Sequence, residues 1–311
     1  MIGIDVGGAN LKVVNDGGAH LHYCPLWEKA PVTTLLNQYV TAPDEPAAVV
    51  MSGELADCFD DKMEGISFIV KAVKDAIHAA RFYGTDGKFH DSAAPQLAAA
   101  NWLASADYLR GEFPDALLVD IGSTTTDIIP LTRFESLTGL TDLQRLQNGY
   151  LIYTGLLRGN IATRLQSVLL EGVITPVSSE YFAASADAHL VLGHITPAQY
   201  TGDTPDKKEK TQTAALRRLA RIVCADLDEI GTDGAYRIAE QFWENQRGLI
   251  CDGVQRIAAV TGARHILVGG IGASLFSGEL GGTDLSKELG SYADALPAFA
   301  VRELAMRGGY F

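Results

Sequence analysis

Two aspartates, Asp5 and Asp120, each end a short apolar run and are followed by a loop of small residues. Asp5 leads into Val6-Gly7-Gly8-Ala9-Asn10-Leu11-Lys12, and Asp120 leads into Ile121-Gly122-Ser123-Thr124-Thr125-Thr126-Asp127. The two motifs align at an offset of 120 − 5 = 115 residues, which places Lys12 opposite Asp127 in the alignment. A repeat near half the chain length predicts two related subdomains that face each other.

These residue types are suited to binding a metal ion and phosphate. Across a cleft, Asp5 and Asp120 could hold a divalent cation while the two loops bind opposite ends of a phosphate chain. Glycine backbone allows close approach, and consecutive free N–H groups form an anion-binding concavity. The alternative is two unrelated hairpins, which Asp-x-Gly-Gly sequences also form. The candidate phosphate-binding residues are Gly7, Gly8, Asn10, Gly122, Ser123, Thr124 and Thr125.

Two further loops follow apolar runs that are typical of buried strands. Ala47–Met51 ends at Ser52-Gly53-Glu54-Leu55, so Glu54 is a candidate acid or base at the carboxyl end of a strand. His265 to Val268 ends at Gly269-Gly270-Ile271-Gly272, ahead of a predicted helix. A strand, a glycine loop and a helix start favour phosphate or nucleotide contact by Gly269, Gly270 and Gly272.

Hydrophobic spacing predicts the elements that carry these loops. Residues 1–23 predict three strands, and a hairpin through Arg133 to Thr141 continues the second aspartate strand. Further predicted segments are a strand near Ser167 to Leu170, an exposed loop or lid from Tyr200 to Lys208, and helices over Ser67 to Arg81, Ser92 to Leu109, Leu216 to Gly231, Ala235 to Val260 (bent or split at Gly248 and Gly253) and Ala293 to Arg307.

Composition excludes several classes of protein. The net charge of −13 disfavours nucleic acid and anionic membrane surfaces as partners. No run approaches the ~20 apolar residues of a membrane helix, and the N-terminus lacks a signal-peptide pattern, which predicts a cytoplasmic protein. The cysteines fit no metal or redox spacing, so each is expected to be a small core residue: Cys24, Cys58, Cys224 and Cys251.

Three glycine loops in this order, two of them led by aspartate, resemble the superfamily of actin-like ATPases, sugar kinases and Hsp70. The resemblance implies an α/β fold of duplicated ribonuclease-H-like domains with an interdomain cleft. The expected domains are residues 1–115 and 116–289, with the C-terminal segment 290–311 packing back on the first.

Within that superfamily the chain looks most like the hydantoinase/oxoprolinase-related group that is linked to tetrahydromethanopterin-dependent one-carbon transfer. Besides the two aspartate loops, the likeness rests on Gly53-Glu54-Leu55-Ala56-Asp57, Ala98-Ala99-Ala100-Asn101-Trp102, and Tyr153-Thr154-Gly155 with Arg158. The loop from Tyr200 to Asp206 fits too, although its Thr204-Pro205-Asp206 departs from an expected Thr-Ala-Asp.

The resemblance implies a methanofuran-biosynthesis transferase that joins an aminomethylfuran diphosphate to the phenol of glutamyl-tyramine and releases diphosphate. Asp5 and Asp120 would then hold Mg²⁺, and Lys12 would assist the loops in binding phosphate oxygens. Asp127 would be either a base for the phenol or a residue that orients the threonines, and Glu54 would be another acid/base candidate.

Two other functions remain open from the sequence. The same loops would bind ATP in a small-molecule kinase, where one aspartate would accept the proton of the substrate hydroxyl. A non-catalytic nucleotide-sensing regulator is the third hypothesis. The sequence also leaves open whether the chain forms a homo-oligomer.

Overall fold

Two β-sheets, one from each half of the chain, form the frame of the protein. The structure is a computed structural model that describes residues 1–42 and 44–310. Its strands are β1 Ile2–Val6, β2 Asn10–Asn15, β3 Gly18–Tyr23, β4 Ala47–Met51, β5 Ala80–Tyr83, β6 Phe89–His90, β7 Ala116–Ile121, β8 Thr126–Pro130, β9 Leu151–Ile152, β10 Ser167–Leu170, β11 Val173–Pro176, β12 His265–Gly269 and β13 Thr283–Asp284.

Helices cover the faces of these sheets. They are α1 Val32–Leu36, α2 Lys62–Ala76, α3 Asn101–Leu109, α4 Phe134–Leu137, α5 Asp142–Asn148, α6 Ser185–Val191, α7 Gln212–Arg221, α8 Leu227–Thr261, α9 Ala273–Leu280, α10 Ser286–Leu289 and α11 Leu296–Gly308.

The two sheets share one topology. The first has the order β3-β2-β1-β4-β5-β6, and the second, taken from its opposite edge, has the order β9-β8-β7-β12-β13. In the first sheet β1 pairs antiparallel with β2 and parallel with β4. In the second sheet β7 pairs antiparallel with β8 and parallel with β12. The duplicated ribonuclease-H-like fold expected from the sequence is therefore confirmed.

The register of the strands reproduces the repeat residue by residue. Asp5 pairs with Lys12 across β1 and β2, and Asp120 pairs with Asp127 across β7 and β8. In the parallel pairing of β1 with β4, Asp5 is in register with Val50, and in that of β7 with β12, Asp120 is in register with Gly269. The loop after β12 is thus the counterpart of the loop after β4 that carries Glu54.

The central strands are apolar on both sides because both of their faces are covered. All five residues of β1 and of β4 are buried. Helix α11 packs on β1 so closely that a β-carbon at Gly3 would overlap the carbonyl oxygen of Ala298. The C-terminal helix therefore lies on the sheet of the first half; Phe311, at the end of the predicted segment 290–311, is outside the described residues.

Two helices of the first half differ from their predicted bounds. The predicted helix from Ser67 to Arg81 begins earlier, because Asp61 caps α2 by accepting a hydrogen bond from the N–H of Glu64. It ends at Ala76 because Ala80–Tyr83 pairs with β4 as strand β5. The predicted helix from Ser92 to Leu109 is a 3₁₀ turn at Pro95–Leu97 followed by α3, since Ala99 has a φ of 48°.

The second half contains further corrections. The predicted hairpin from Arg133 to Thr141 is wrong, because this segment is mostly helical and includes α4. The predicted helix from Leu216 to Gly231 is interrupted after α7, and α8 starts at Leu227 with Asp226 as its cap. Gly231, with a φ of 66°, kinks α8, whereas Gly248 and Gly253 lie within the continuous helix.

The cysteine prediction holds for one residue of four. Cys24 is buried, Cys58 and Cys251 are partly exposed, and Cys224 is exposed. Cys224 has a φ of 58° at the break between α7 and α8, so a turn and not core packing determines its place. No helix among the described residues is long and apolar enough to cross a membrane.

Candidate functional site

Asp5 lies at the end of β1 with its carboxyl group enclosed by protein. It is 2% exposed, and its Oδ2 is 3.5 Å from the Nζ of Lys12. Its Oδ1 has no hydrogen-bond partner within residues 1–42 and 44–310. A buried carboxylate oxygen without a partner carries a desolvation penalty, which a bound cation would offset. Asp5 is therefore suited to act as a ligand.

Asp120 lies in the same electrostatic environment. Burial is the main factor that raises its pKa to about 6, and the negative charges of Asp127 and Asp5 raise it further. The charge of Lys12 acts in the opposite direction on Asp120. Burial also raises the pKa of Asp5, against the opposing effect of Lys12. The two repeats thus bring both aspartates and Lys12 to one place.

We expect the carboxyl group of Asp120 to titrate near pH 6 in the ligand-free protein, because its charged form is buried beside two other carboxylates. Carbon-13 NMR of the aspartate carboxyl groups would follow this titration, and Asp120→Asn would identify the resonance by its disappearance. A midpoint near the ordinary aspartate value would contradict the placement of Asp120 in this cluster.

The two loops have the same hydrogen-bond pattern. The N–H of Gly7 donates to the carbonyl of Asn10 at 2.9 Å, and the N–H of Gly122 donates to that of Thr125 at 2.9 Å. Beyond these turns, the described chain contains no protein acceptor for several successive N–H groups of the loops, namely those of Gly8, Ala9, Ser123, Thr124 and Thr125. Free, consecutive N–H groups of this kind bind anions.

The loop carbonyls point the other way and are bonded to neighbouring chain. The carbonyl of Gly8 accepts from the N–H of Leu26, and that of Ala9 accepts from Cys24. In the second loop, Gly122 accepts from Leu156, and Ser123 accepts from both Leu157 and Arg158. Because these bonds fix the carbonyls on one side, the unbonded N–H groups are held on the other.

Gly155 supports the second loop from behind. A β-carbon at this position would lie 2.6 Å from the carbonyl oxygen of Gly122 and 2.6 Å from the nitrogen of Thr124. The Nε2 of Gln246 donates to the carbonyl of Gly155 and to the Oγ1 of Thr154. Gln246 accepts in turn from the buried His189 at 2.8 Å. A buried polar network therefore fixes the position of the loop.

Asp127 forms an ion pair with Arg145, so its carboxylate is not unpaired in the cleft. Arg145 is 3% exposed, and it also pairs with Asp142 at 2.8 Å. Its guanidinium lies 4.2 Å from the ring centroid of Trp102. The ion pair holds the Asp127 carboxylate in place, which matches the positioning alternative for this residue better than a role as base.

Glu54 occupies the loop after β4, opposite the Gly269 loop in the repeat. It is 2% exposed, its Oε2 has no partner in the described chain, and burial raises its pKa. Two further polar atoms, the Nε of Arg145 and the Nε1 of Trp102, are likewise buried and have no hydrogen-bond partner in the described chain. The charge of Asp142 acts on Glu54 as well, so these groups form one polar cluster.

The Gly269 loop packs directly on Asp120. Gly270 has a φ of 76°, and a β-carbon there would overlap the Oδ1 of Asp120 and lie 2.5 Å from the carbonyl oxygen of Ile121. The N–H of Gly272 donates to that same carbonyl at 3.0 Å. The third glycine loop of the sequence is thus a wall of the aspartate site.

A cavity of about 170 Å³ opens between the two halves beside the loops. Asn10 and Ser123, two of the predicted loop residues, line the cavity. The lining also includes residues that were not predicted as site residues, namely Trp27, Arg158, Tyr181 and Asp203. Arg158 had appeared only as part of a family motif, and Asp203 only within the predicted lid. No motif of the sequence marks Trp27, because its place at the cavity depends on the packing of the segment after β3 on the first loop, where the N–H of Leu26 donates to the carbonyl of Gly8.

The predicted lid is only partly exposed. Tyr200 and Thr204 are buried, and Asp206 pairs with Arg218 at 3.0 Å and with Arg221 at 3.1 Å. Arg218 itself is fully buried against Asp187. These ion pairs fix the base of the loop. Thr201 and Asp203 are exposed at the cavity, and Lys207 and Lys208 are exposed at the other end of the loop.

The residues present fit a magnesium ion. No cluster of three or more His, Cys, Asp or Glu side chains that could hold a metal occurs in residues 1–42 and 44–310. Mg²⁺ does not require one, because it commonly binds through one or two carboxylates together with water and substrate phosphates. The unpartnered Oδ1 of Asp5 and the neighbouring Asp120 supply such a pair.

Comparison with known proteins gives the family. The model for the hydantoinase/oxoprolinase family matches residues 45–291. A relative from Methanocaldococcus jannaschii is 34% identical over 323 residues, which cover 99% of this chain and 98% of the relative. It is named (4-{4-[2-(gamma-L-glutamylamino)ethyl]phenoxymethyl}furan-2-yl)methanamine synthase. A relative from Methanococcus vannielii with the same name is 36% identical over 174 residues, 56% of this chain and 78% of the relative.

Among solved structures, the polyphosphate/ATP-glucomannokinase of Arthrobacter sp. strain KM aligns over 99% of this chain and 98% of its own, with 12% identity and a TM-score of 0.43. The sheet order described above carries the fold assignment independently. Both curated relatives are named as synthases, which supports an enzymatic role. The chain belongs to the hydantoinase/oxoprolinase family.

Proposed function

We propose that this protein condenses an aminomethylfuran diphosphate with the phenol of glutamyl-tyramine and releases diphosphate. The name of the two relatives describes a phenoxymethyl-furan, an ether between a phenol and a furan methylene group. The observation that carries the proposal is the pair of facing loops, whose free N–H groups flank Asp5 and Asp120. Such a site is suited to two phosphate groups of one leaving group.

In this reaction the bond between the furfuryl carbon and the diphosphate oxygen breaks, and a bond between that carbon and the phenol oxygen forms. The furan ring can stabilise positive charge on the reacting carbon, so the main task of the protein is to bind the departing anion. The N–H groups of both loops and Lys12 would hold its oxygens. Mg²⁺ bound by Asp5 and Asp120 would neutralise diphosphate charge.

The phenol proton needs an acceptor. Asp127 is held by Arg145, whereas Glu54 has an unpartnered oxygen and a raised pKa. A raised pKa makes a carboxylate a stronger base toward a phenol. We therefore assign the base to Glu54 and a positioning role to Asp127.

The test is an assay of the purified protein with Mg²⁺, the furan diphosphate and γ-glutamyltyramine. We expect diphosphate and the ether product, identified by mass spectrometry, only when both substrates are present. Parallel reactions with ATP and small hydroxylated acceptors test the kinase alternative. Stoichiometric ADP formation that depends on such an acceptor, without condensation, would overturn the proposal.

A further inference from the structure

The cavity beside the loops combines side chains from both halves of the chain. Trp27 follows β3 in the first half, and Arg158 follows the second-half segment that supports the phosphate loop. The guanidinium of Arg158 lies 4.6 Å from the ring centroid of Trp27, which closes the cavity across the cleft. We call it the Trp27–Arg158 cavity. Asn10 and Ser123 connect it to the two loops.

Its walls are aromatic and partly open to solvent. Tyr23 is 44% exposed and Tyr181 is 48% exposed, while Trp27 is half-buried. Gly202 lies against Tyr23, since a β-carbon at Gly202 would be 3.5 Å from the Cε2 of the tyrosine ring. Exposed aromatic side chains grouped around an arginine are typical of binding sites, because they bury much area on binding while losing few rotamers.

The charges in this cavity are of both signs. Arg158 is exposed and forms no ion pair within 4.0 Å among residues 1–42 and 44–310, so its guanidinium is available to an anion. Asp203 and Glu28 are the acidic residues of the lining, and both are exposed. One cation and two carboxylates around aromatic walls complement a ligand that has an aromatic ring, a carboxylate and an ammonium group.

We infer that the Trp27–Arg158 cavity binds the acceptor by its free amino-acid end, with Arg158 on the carboxylate and Asp203 on the ammonium. This inference rests on the proposed function, because the γ-glutamyl group of glutamyl-tyramine supplies both charges. The aromatic walls would contact the phenyl ring. Since Asn10 and Ser123 belong to the loops, the phenol would then face the diphosphate.

The geometry also gives a reason for selectivity. Tyramine has the ring and a single ammonium group but lacks the carboxylate, so it cannot engage Arg158 as an ion pair. Loss of a charge-assisted hydrogen bond to a guanidinium weakens binding by about 10- to 100-fold. We expect the protein to prefer γ-glutamyltyramine over tyramine by about this factor.

Binding measurements test the inference without turnover. γ-Glutamyltyramine and tyramine are titrated against the full chain by calorimetry, in the presence of Mg²⁺ and inorganic diphosphate. The variants are Arg158→Gln and Asp203→Asn, with Arg264→Gln as the matched control. Arg264 is also an exposed arginine, with 78% of its side chain accessible. It immediately precedes β12, at the end of that strand opposite the loops.

We expect Arg158→Gln to weaken γ-glutamyltyramine binding about 10- to 100-fold and to remove the preference over tyramine. Asp203→Asn should weaken γ-glutamyltyramine, whose α-ammonium group it would contact, and Arg264→Gln should change neither ligand by more than about twofold, as for a surface site. An unchanged preference in Arg158→Gln, or no measurable preference in the wild-type protein, would overturn the inference. If the wild-type protein binds as expected but releases no diphosphate with both substrates, the proposed function fails instead.

Discussion

Replacing Asp120 with asparagine is expected to lower diphosphate release by about 100- to 1000-fold, the loss seen when a preorganised electrostatic group is removed. The charges of Asp5 and Lys12 both act on Asp120. Its carboxylate is one of the two that we propose as ligands of Mg²⁺. The amide of asparagine keeps the shape but lacks the charge that attracts a cation.

The same substitution should not destabilise the protein at pH 8. The pKa of Asp120 is raised in the folded state from 3.8 to about 6. Between these two values the folded protein binds the proton that the unfolded chain has released, so this residue's contribution to the free energy of unfolding falls as pH rises. Above pH 6 the ionised group is a net cost to folding, and asparagine removes that cost.

Activity and thermal unfolding of the same preparation would measure both effects. Asp294→Asn is the matched control, because Asp294 also acts electrostatically on Asp120 but is exposed and was not assigned to the site. We expect the control to retain activity within about twofold, as for a surface substitution. Full activity in Asp120→Asn would remove Asp120 from the metal site. A large fall in its melting temperature at pH 8 would contradict the electrostatic account.

Replacing Gly270 with alanine is the second substitution with a large expected effect. The new β-carbon would overlap the Oδ1 of Asp120 and crowd the carbonyl of Ile121, so the carboxylate or the loop must move. Displacements of about 1 Å in a catalytic arrangement reduce rates by about 100-fold, and we expect a loss of that size. The positive φ of 76° adds strain, of order 1 kcal/mol, to the folded state.

Gly281→Ala separates these two causes. Gly281 has a φ of 60° at the end of α9, and nothing lies within 4 Å of where its β-carbon would be. Both variants carry the strain of a positive φ, so Gly270→Ala, which adds the overlap, should lose at least as much stability in urea unfolding as Gly281→Ala, but only Gly270→Ala should lose activity. Equal activities in the two variants would show that the Gly269 loop does not position Asp120.

The sequence was sufficient to predict the frame of the site. The repeat of Asp5 at Asp120 predicted two similar units, and the observed register pairs Asp5 with Lys12 and Asp120 with Asp127 in the same way. The prediction of two similar units succeeded because strand alternation and glycine turns are local properties, which a short window of sequence specifies. Element bounds were less predictable, as at α2, where pairing of Ala80–Tyr83 with β4 took precedence over a helical pattern.

The tertiary structure alone showed how the side chains combine. The pairing of Asp127 with Arg145 and the stacking of Arg158 on Trp27 join residues 18 and 131 positions apart. No periodicity records such contacts, because a side chain's partner depends on how whole elements pack. Thus the sequence by itself determined the duplicated units and the glycine loops proposed to bind phosphate, whereas the tertiary structure decided which carboxylates are paired, which remain available, and which side chains line the cavity beside the loops.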